Sequence, residues 1–307
     1  MLDVIIIGSG PAGLTASIYA KRAGLNAVVV EKEYMGTGQI ADSSRVDNYP
    51  GMPGVDGYSL GESFRSHAES LGVEFIEREI VKLDNSKGSW VCTCDDGSTL
   101  EAQTVLYAAG CRHRSLGIDS ESVFQGKGVS YCAVCDGAFY RDKNVAVVGG
   151  GDTALDDALY LSDICRKVYL IHRRDGFRGS ASTLARLKEK ADVEIITNAR
   201  IEQITGDKKV SGADLSNGAH VDIDGIFVAV GMIPQTSLLE GFDVLDDSGY
   251  VVAGEDGVTS CSGLFAAGDA RTKNLRQVIT AASDGANAMY SVMHLSLIHI
   301  SEPTRHS

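Results

Sequence analysis

DVIIIGSGPAG, residues 3–13, and its echo NVAVVGGGDTA, residues 144–154, decide the fold. Each is a short β-branched run followed by Gly-x-Gly-x-x-Gly or Ala and then by a segment of helical periodicity. A continuous apolar run of that length predicts a parallel strand buried on both faces. Small residues at the turn let the backbone approach a pyrophosphate, and the following helix points its N-terminus at it. One such motif is weak evidence. Two, each followed by a second strand, NAVVVEKE (26–33) and KVYLIHRR (167–174), predict a pair of Rossmann-type units.

The echo also discriminates between ligands. Gly8 to Glu31 spans 31 − 8 = 23 residues and Gly149 to His172 spans 172 − 149 = 23, so corresponding positions carry Glu31 in one half and His172, Arg173 and Arg174 in the other. An acid there accepts hydrogen bonds from a ribose 2′-hydroxyl, whereas arginines suit a 2′-phosphate. The expectation is FAD in the first half and NADPH in the second. Arg178, in HRRDGFR (172–178), is a third candidate for the phosphate. Out of context the arginines would read as a solvated charge pair and Glu31 as a polar strand end; the shared offset favours the ligand reading.

At 307 residues the chain exceeds one compact core, which predicts two domains. A hydrophobic share of 44% and a charged share of 22% describe an ordinary globular protein. The net charge of −13 argues against nucleic acid or an anionic membrane surface as partner. VIIIGSGPAGLTA (4–16) is too short and too interrupted by glycine and proline to span a bilayer. Cytoplasmic residence is the expectation. Seven scattered cysteines do not form a secreted disulfide framework. Between the glycine loops, SWVCTCDDGSTLEAQTVLYAAG (89–110) predicts a small inserted meander, and a similar pattern over 199–231 occupies the same place in the second half. Cys92 and Cys94 share a strand face there, and packing is the simpler reading of them. A strand ending at Gly268-Asp269 precedes a helix expected from about Leu275.

GSGPAG (8–13), VDNYPG (46–51), GVSYCAVCDG (128–137), GGGDTA (149–154), HRRDGFR (172–178), GLFAAGDA (263–270) and RQVITAASDG (276–285) together resemble the low-molecular-weight thioredoxin reductases, over residues 1 to about 293. The resemblance implies an α/β fold of two Rossmann-like three-layer nucleotide-binding domains, the second inserted into the first. The FAD domain would be residues 1–113 and 244–295, and the NADPH domain, carrying the redox cysteines, residues 114–243. A homodimer is implied as well. By motif, Gly8, Gly10, Gly13, Glu31, Gln39, Asn48, Asp269, Arg276 and Gln277 would touch FAD, and Gly149, Gly151, Ala154, His172, Arg173, Arg174 and Arg178 would hold NADPH. The chain departs from the family in having GTGQ (36–39) for G-G-Q, AAG (108–110) for A-T-G, and no proline in CRHRSLG (111–117). SLIHISEPTRHS (296–307) resembles translated adapter sequence and is expected neither to be native nor to continue the helix.

Three readings compete for Cys132 and Cys135. Zinc needs two more ligands, and no second Cys-x-x-Cys or paired histidines supply them. An inert pair is disfavoured because the motif sits in a glycine-flanked turn that starts a helix, where thiolates are stabilised. The third is a dithiol cycling through a disulfide. Electrons would pass from NADPH to FAD, to the Cys132/Cys135 disulfide, and on to thioredoxin or a thioredoxin-like protein. By resemblance, Cys135 faces the flavin and Cys132 attacks the substrate. Asp136, adjacent, is the candidate acid, and it also suits a helix cap. Because the dithiol and the nicotinamide site share one domain while the flavin belongs to the other, the inserted domain is expected to rotate about linkers near 110–117 and 241–249. Cross-linking the domains should then stop turnover and leave FAD bound. A flavin dithiol oxidase and a ferredoxin-linked reductase are the alternatives; neither needs the arginines of HRRDGFR. A redox-sensing binding protein would not need Cys-x-x-Cys-Asp.

Overall fold

The structure, a computed structural model, describes residues 1–33, 37–43, 45–85 and 88–301, with residues 42 and 296–301 described by their backbone alone. The chain divides into two compact units, residues 1–112 with those from 234 onward, and residues 113–233. The first unit begins with β1 (Leu2–Ile7), α1 (Pro11–Arg22), β2 (Ala27–Glu31), α2 (Gly57–Ser70), β3 (Glu74–Glu77), β4 (Ile80–Asp84), β5 (Trp90–Cys94), β6 (Thr99–Tyr107) and β7 (Cys111–His113). The inserted unit continues with α3 (Asp119–Phe124), β8 (Val129–Ser130), α4 (Ala133–Asp136), β9 (Asn144–Val148), α5 (Asp152–Ser162), β10 (Lys167–Ile171), α6 (Ala181–Glu189) and β11 (Val193–Ile196). It ends with β12 (Ile201–Gly206), β13 (Val210–Leu215), β14 (His220–Asp222), β15 (Gly225–Val228) and β16 (Met232–Pro234). The chain returns with β17 (Leu264–Ala266) and α7 (Val278–Ser301). β7 and β16, which carry it across the two boundaries, pair with each other.

In the first unit, β3, β2, β1 and β6 pair in that order and in parallel, with Val4 opposite Ala27 and Ile7 opposite Tyr107. Strand β1 is apolar throughout because it is buried on both faces. Val4 and Ile6 pack with Leu14 and Ala20 of α1 and Ala288 and Met289 of α7. Ile5 and Ile7 pack on the other face with Trp90, Tyr107, Leu239 and Val251. Strand β6 is long enough to serve two partners on its far side: its first residues pair antiparallel with β5 and its last three pair parallel with β17. The meander expected as a separate insertion is therefore continuous with the main sheet. In the inserted unit the parallel order is β11-β10-β9-β15-β8, and β12, β13 and β14 form their own antiparallel sheet. Alternation recurs in β9: Val145 and Val147 face Leu155 and Leu161 of α5, while Ala146 and Val148 face Val210 and Ala213 of β13.

Three boundaries differ from the sequence expectation. The return to the first unit comes at 234 instead of 244, because Leu239, Val244, Val251 and Ala253 are buried in the first unit's core. Helix α7 starts at Val278, not Leu275, because the Thr280 hydroxyl bonds the Leu275 and Gln277 carbonyls and holds a turn ahead of it. Its backbone continues to Ser301, past the expected stop near 295, since the sequence offers no glycine or proline before Pro303. Residues 302–307, and Gly36 of GTGQ, lie outside the described residues. Among the described residues, no helix is long and apolar enough to cross a membrane.

Candidate functional site

In the first unit, β1 runs into Gly8, whose φ of 105° favours glycine and whose position lies against the Ala108 carbonyl. Gly10 precedes α1 without a side-chain cap, and the space where its side chain would stand is open. The first N–H groups of α1 thus face a gap, as a phosphate site requires. Gly13 lies against the Gly8 carbonyl, where no side chain fits. Two buried side-chain oxygens flank this turn without a hydrogen-bond partner, Thr37 Oγ1 and Asp269 Oδ1, the latter in a long ion pair of 3.8 Å with Lys273 Nζ. Thr37 precedes Gly38, where a Cβ would stand 3.3 Å from Gly10 Cα, and Asp269 follows Gly268, where one would stand 2.9 Å from Ala12 Cβ. Buried polar atoms rarely go unpaired. An open, glycine-lined helix start with orphan polar oxygens beside it fits a dinucleotide such as FAD.

The remaining first-half candidates gather around that turn only in part. Glu31, at the end of β2, is 4% exposed and its two oxygens lie 2.6 and 2.8 Å from Arg65 Nη1. A carboxylate has lone pairs left over after such a contact, so it remains an acceptor. Gln39 donates through Nε2 to the Cys111 carbonyl. Asn48 Nδ2 donates to Gln277 Oε1 at 2.8 Å, joining segments 229 residues apart. Arg276 stacks 4.2 Å from the Tyr250 ring centre and donates to the Asp269, Arg271 and Lys273 carbonyls. Asp284 underpins the Gly268-Asp269 turn: it accepts the Gly268 N–H at 3.0 Å and is salt-bridged to Arg271 and Lys273 at 2.6 and 2.9 Å. Burial pushes the Asp269 carboxyl above the ordinary range. Arg65 carries no sequence signature, and Thr37 and Asp284, though they lie within GTGQ and RQVITAASDG, are singled out only by their buried polar state in the fold.

The second glycine loop repeats the first. Gly149 lies against the Ala229 carbonyl, Ala154 packs beneath the turn, and Gly151 opens α5 with free space beyond it and no side-chain cap. His172 does not extend outward with its neighbours. It is 8% exposed, its ring fills the space over Gly150, and Nε2 lies 3.2 Å from the Gly176 carbonyl. Burial holds its pKa below the usual value, reinforced by the charges of Arg173, Arg174 and Arg178, so a neutral ring is favoured. The three arginines are exposed and have no salt bridge among the described residues. The Arg178 N–H also bonds the Gly150 carbonyl at 2.7 Å, pulling the arginine segment back onto the loop. Unpaired guanidinium groups beside an open helix start fit a nucleotide carrying an additional phosphate.

Cys132 and Cys135 are joined in a disulfide with Cα atoms 5.3 Å apart. Cys132 is the cap of α4, and its sulfur accepts the Cys135 N–H at 3.2 Å. That contact favours the Cys132 thiolate once the bond opens. Asp136 ends α4 and does not cap it; burial raises its pKa, and a Ser130 hydrogen bond of 2.7 Å partly counters the rise. Behind the pair, Tyr131 donates to Glu121 Oε1 at 2.8 Å, and the other oxygen of Glu121 accepts the Leu116 and Gly117 N–H groups. Cys92 and Cys94 are buried, unpaired thiols facing one side of β5. Among the described residues, no cluster of His, Cys, Asp or Glu is placed to hold a metal ion.

Comparison with known proteins agrees with this constellation. A family model described as pyridine nucleotide-disulphide oxidoreductase matches residues 2–285. The chain is 42% identical to the thioredoxin reductase of Helicobacter pylori over 306 residues, covering 95% of this chain and 98% of the relative. It is 40% identical to that of Listeria monocytogenes over 292 residues, covering 93% and 91%. A crystal structure of thioredoxin reductase from Streptococcus pyogenes matches with a TM-score of 0.92 at 36% identity, covering 97% of this chain and 99% of that one. With two nucleotide loops and a disulfide between them in sequence, matched along nearly its whole length, the chain belongs to the pyridine nucleotide-disulphide oxidoreductase family.

Proposed function

We propose that this chain is an NADPH-dependent thioredoxin-disulfide reductase, using FAD and the Cys132/Cys135 pair to reduce thioredoxin or a thioredoxin-like protein. The observation that carries the reading is the Cys132–Cys135 disulfide next to a half-buried carboxyl group, on the same unit as a glycine loop flanked by unpaired arginines. Bound FAD would supply the two-electron relay between a nicotinamide and a disulfide. In the first unit, Gly8, Gly10 and Gly13 leave room for its pyrophosphate, and Glu31, Thr37 and Asp269 offer polar contacts. Gln39, Asn48, Arg276 and Gln277 complete the set that the family motifs assign. In the inserted unit, Gly149, Gly151 and Ala154 cradle the nicotinamide nucleotide's phosphates, His172 walls the loop, and Arg173, Arg174 and Arg178 select the 2′-phosphate.

The thiol chemistry balances as follows. Opening the Cys132–Cys135 bond with two electrons yields two thiolates; Asp136 gives its proton to Cys135, leaving Cys132 as the thiolate, and takes the proton back as Cys135 later attacks. Cys132 attacks a sulfur of the substrate disulfide, forming a mixed disulfide and releasing a substrate thiolate. Cys135 then attacks Cys132 Sγ, which restores the Cys132–Cys135 bond and frees the second substrate thiolate. The raised pKa of Asp136 keeps its proton available to a higher pH than an ordinary carboxyl group allows. Cys92, Cys94, Cys111 and Cys165, buried and outside any disulfide, support residence in a reducing compartment such as the cytoplasm. The family resemblance supports a homodimer, for which light scattering should give twice the chain mass.

Anaerobic stopped-flow reduction tests the reading. The flavin should bleach rapidly with NADPH and slowly with NADH, and added thioredoxin should reoxidise it. Cys132→Ser should keep FAD and NADPH oxidation by artificial acceptors while losing disulfide reduction. Bleaching by a dithiol but by neither nucleotide would replace this reading with the dithiol oxidase or the ferredoxin-linked reductase.

A further inference from the structure

The Cys-x-x-Cys-Asp motif passes over Ser130, the last residue of β8 and 6% exposed. Its hydroxyl donates to Asp136 Oδ2 at 2.7 Å and accepts the Cys132 N–H at 3.1 Å, so one oxygen bridges the candidate acid and the backbone of the attacking cysteine. A third atom, the Cys132 carbonyl oxygen, lies 3.4 Å away. We infer that Ser130 is the positioning residue for Asp136, holding its carboxyl group against Cys132 in both the ionised and the protonated state. This rests on the reading of Asp136 as the proton donor.

The hydrogen-bond inventory of a hydroxyl group shows how. A serine oxygen has one proton to give and two lone pairs to offer. While Asp136 is ionised, the serine proton goes to Oδ2 and one lone pair takes the Cys132 N–H. Once Asp136 is protonated, its own O–H can donate to Ser130 Oγ, filling the second lone pair, and the serine proton turns to the Cys132 carbonyl. Both arrangements satisfy every group with the heavy atoms in place. Alanine at 130 would strip the ionised carboxylate of its neutral donor and leave the Cys132 N–H without that acceptor. A buried carboxylate deprived of a donor holds its proton more tightly.

Other ionisable groups with raised pKa values lie on the elements next to α4. Tyr140 ends the 3-10 turn that follows α4, and its hydroxyl group is pushed up to about 12 by burial, Asp136 and Asp224. Asp157 lies on α5, the helix packed against α4, with its carboxyl pushed up to about 6. The two cysteines themselves titrate only when reduced. A pH profile must separate Asp136 from Asp157, which an Asp136→Asn background does.

The test is the pH dependence of kcat for the flavin-loaded enzyme, with NADPH and a bacterial thioredoxin, in Ser130→Ala, Ser130→Thr, Asp136→Asn and the Ser130→Ala/Asp136→Asn double variant. Ser130→Ala should move the limb on which rate falls with rising pH upward by about half a unit or more, the direction set by losing a donor to the carboxylate. Ser130→Thr, which keeps the hydroxyl group, should restore the wild-type limb, and the double variant should show the profile of Asp136→Asn alone. Flavin content and melting temperature certify that Ser130→Ala is folded; if it is not, Ser130→Gly takes the same measurement. A Ser130→Ala profile that superimposes on wild type, or falls by one factor at every pH, overturns the proposal. If Asp136→Asn itself keeps the limb, the acid assignment fails first, and the proposal with it.

Discussion

Arg65 shows what one side chain outside any motif can control. Its guanidinium group bridges Glu31 and Glu69, with Nε 2.8 Å from Glu69 Oε1, and lies 3.6 Å above the Phe75 ring centre. The Arg65 and Glu31 side chains are only 7% and 3% exposed. Removing one partner of a buried pair leaves the other charge uncompensated, so Arg65→Met should cost about 3 kcal/mol in denaturant unfolding of the apoprotein and weaken FAD binding. An unchanged unfolding midpoint would mean that Glu31 finds another partner. Thr37 makes a second prediction. Thr37→Val keeps the shape and removes the orphan hydroxyl group. If that group serves the cofactor, FAD should dissociate about fivefold more readily, the worth of one hydrogen bond of about 1 kcal/mol, with no loss of apoprotein stability. Fluorescence of released flavin measures it, and equal retention would assign the hydroxyl group a packing role.

At the scale of the element, helix α5 carries a liability that periodicity conceals. Asp157 follows Asp156 on its partly buried side, and burial with that neighbour raises the Asp157 pKa to about 6. A folded-state pKa above the unfolded value near 4 means stability that is fully present below about pH 4 and lost as pH rises through about 6. Asp157→Asn should therefore raise thermal stability at pH 7.5 by about 1–2 kcal/mol and give no gain at pH 4. A gain of equal size at both pH values would point to helix propensity instead. Both strand–glycine–helix units were legible because every residue that defines them lies within one short contiguous run. The meander was legible as strands, but its fusion to the parallel sheet was not: β6 changes partners midway, and a pattern that alternates along one strand says nothing about which neighbour lies beside each half.

On the scale of the whole molecule, each unit has hydrophobic clusters made of its own residues. Val145, Val147, Leu170 and Phe227 define one face of the inserted unit's sheet, and Ala146, Val148, Ile171 and Ile226 the other. A segment with its own two-faced core should fold by itself. Residues 113–233, expressed alone, should unfold cooperatively and bind 2′,5′-ADP without flavin; a non-cooperative melt would show that the first unit is needed to complete it. The amino-acid sequence by itself determined the two nucleotide loops, the acid and the arginines at matching offsets, and the Cys-x-x-Cys-Asp run, because in each the chemistry lies within one turn or one strand-to-helix step. Only the tertiary structure decided that Arg65 pairs with Glu31, that Asn48 meets Gln277, that residues 234–253 belong to the first unit and that Ser130 bridges Asp136 and Cys132. The physical reason is range and precision: periodicity reports which face of an element is buried, whereas a hydrogen bond between segments depends on ångström-scale packing that no local pattern encodes.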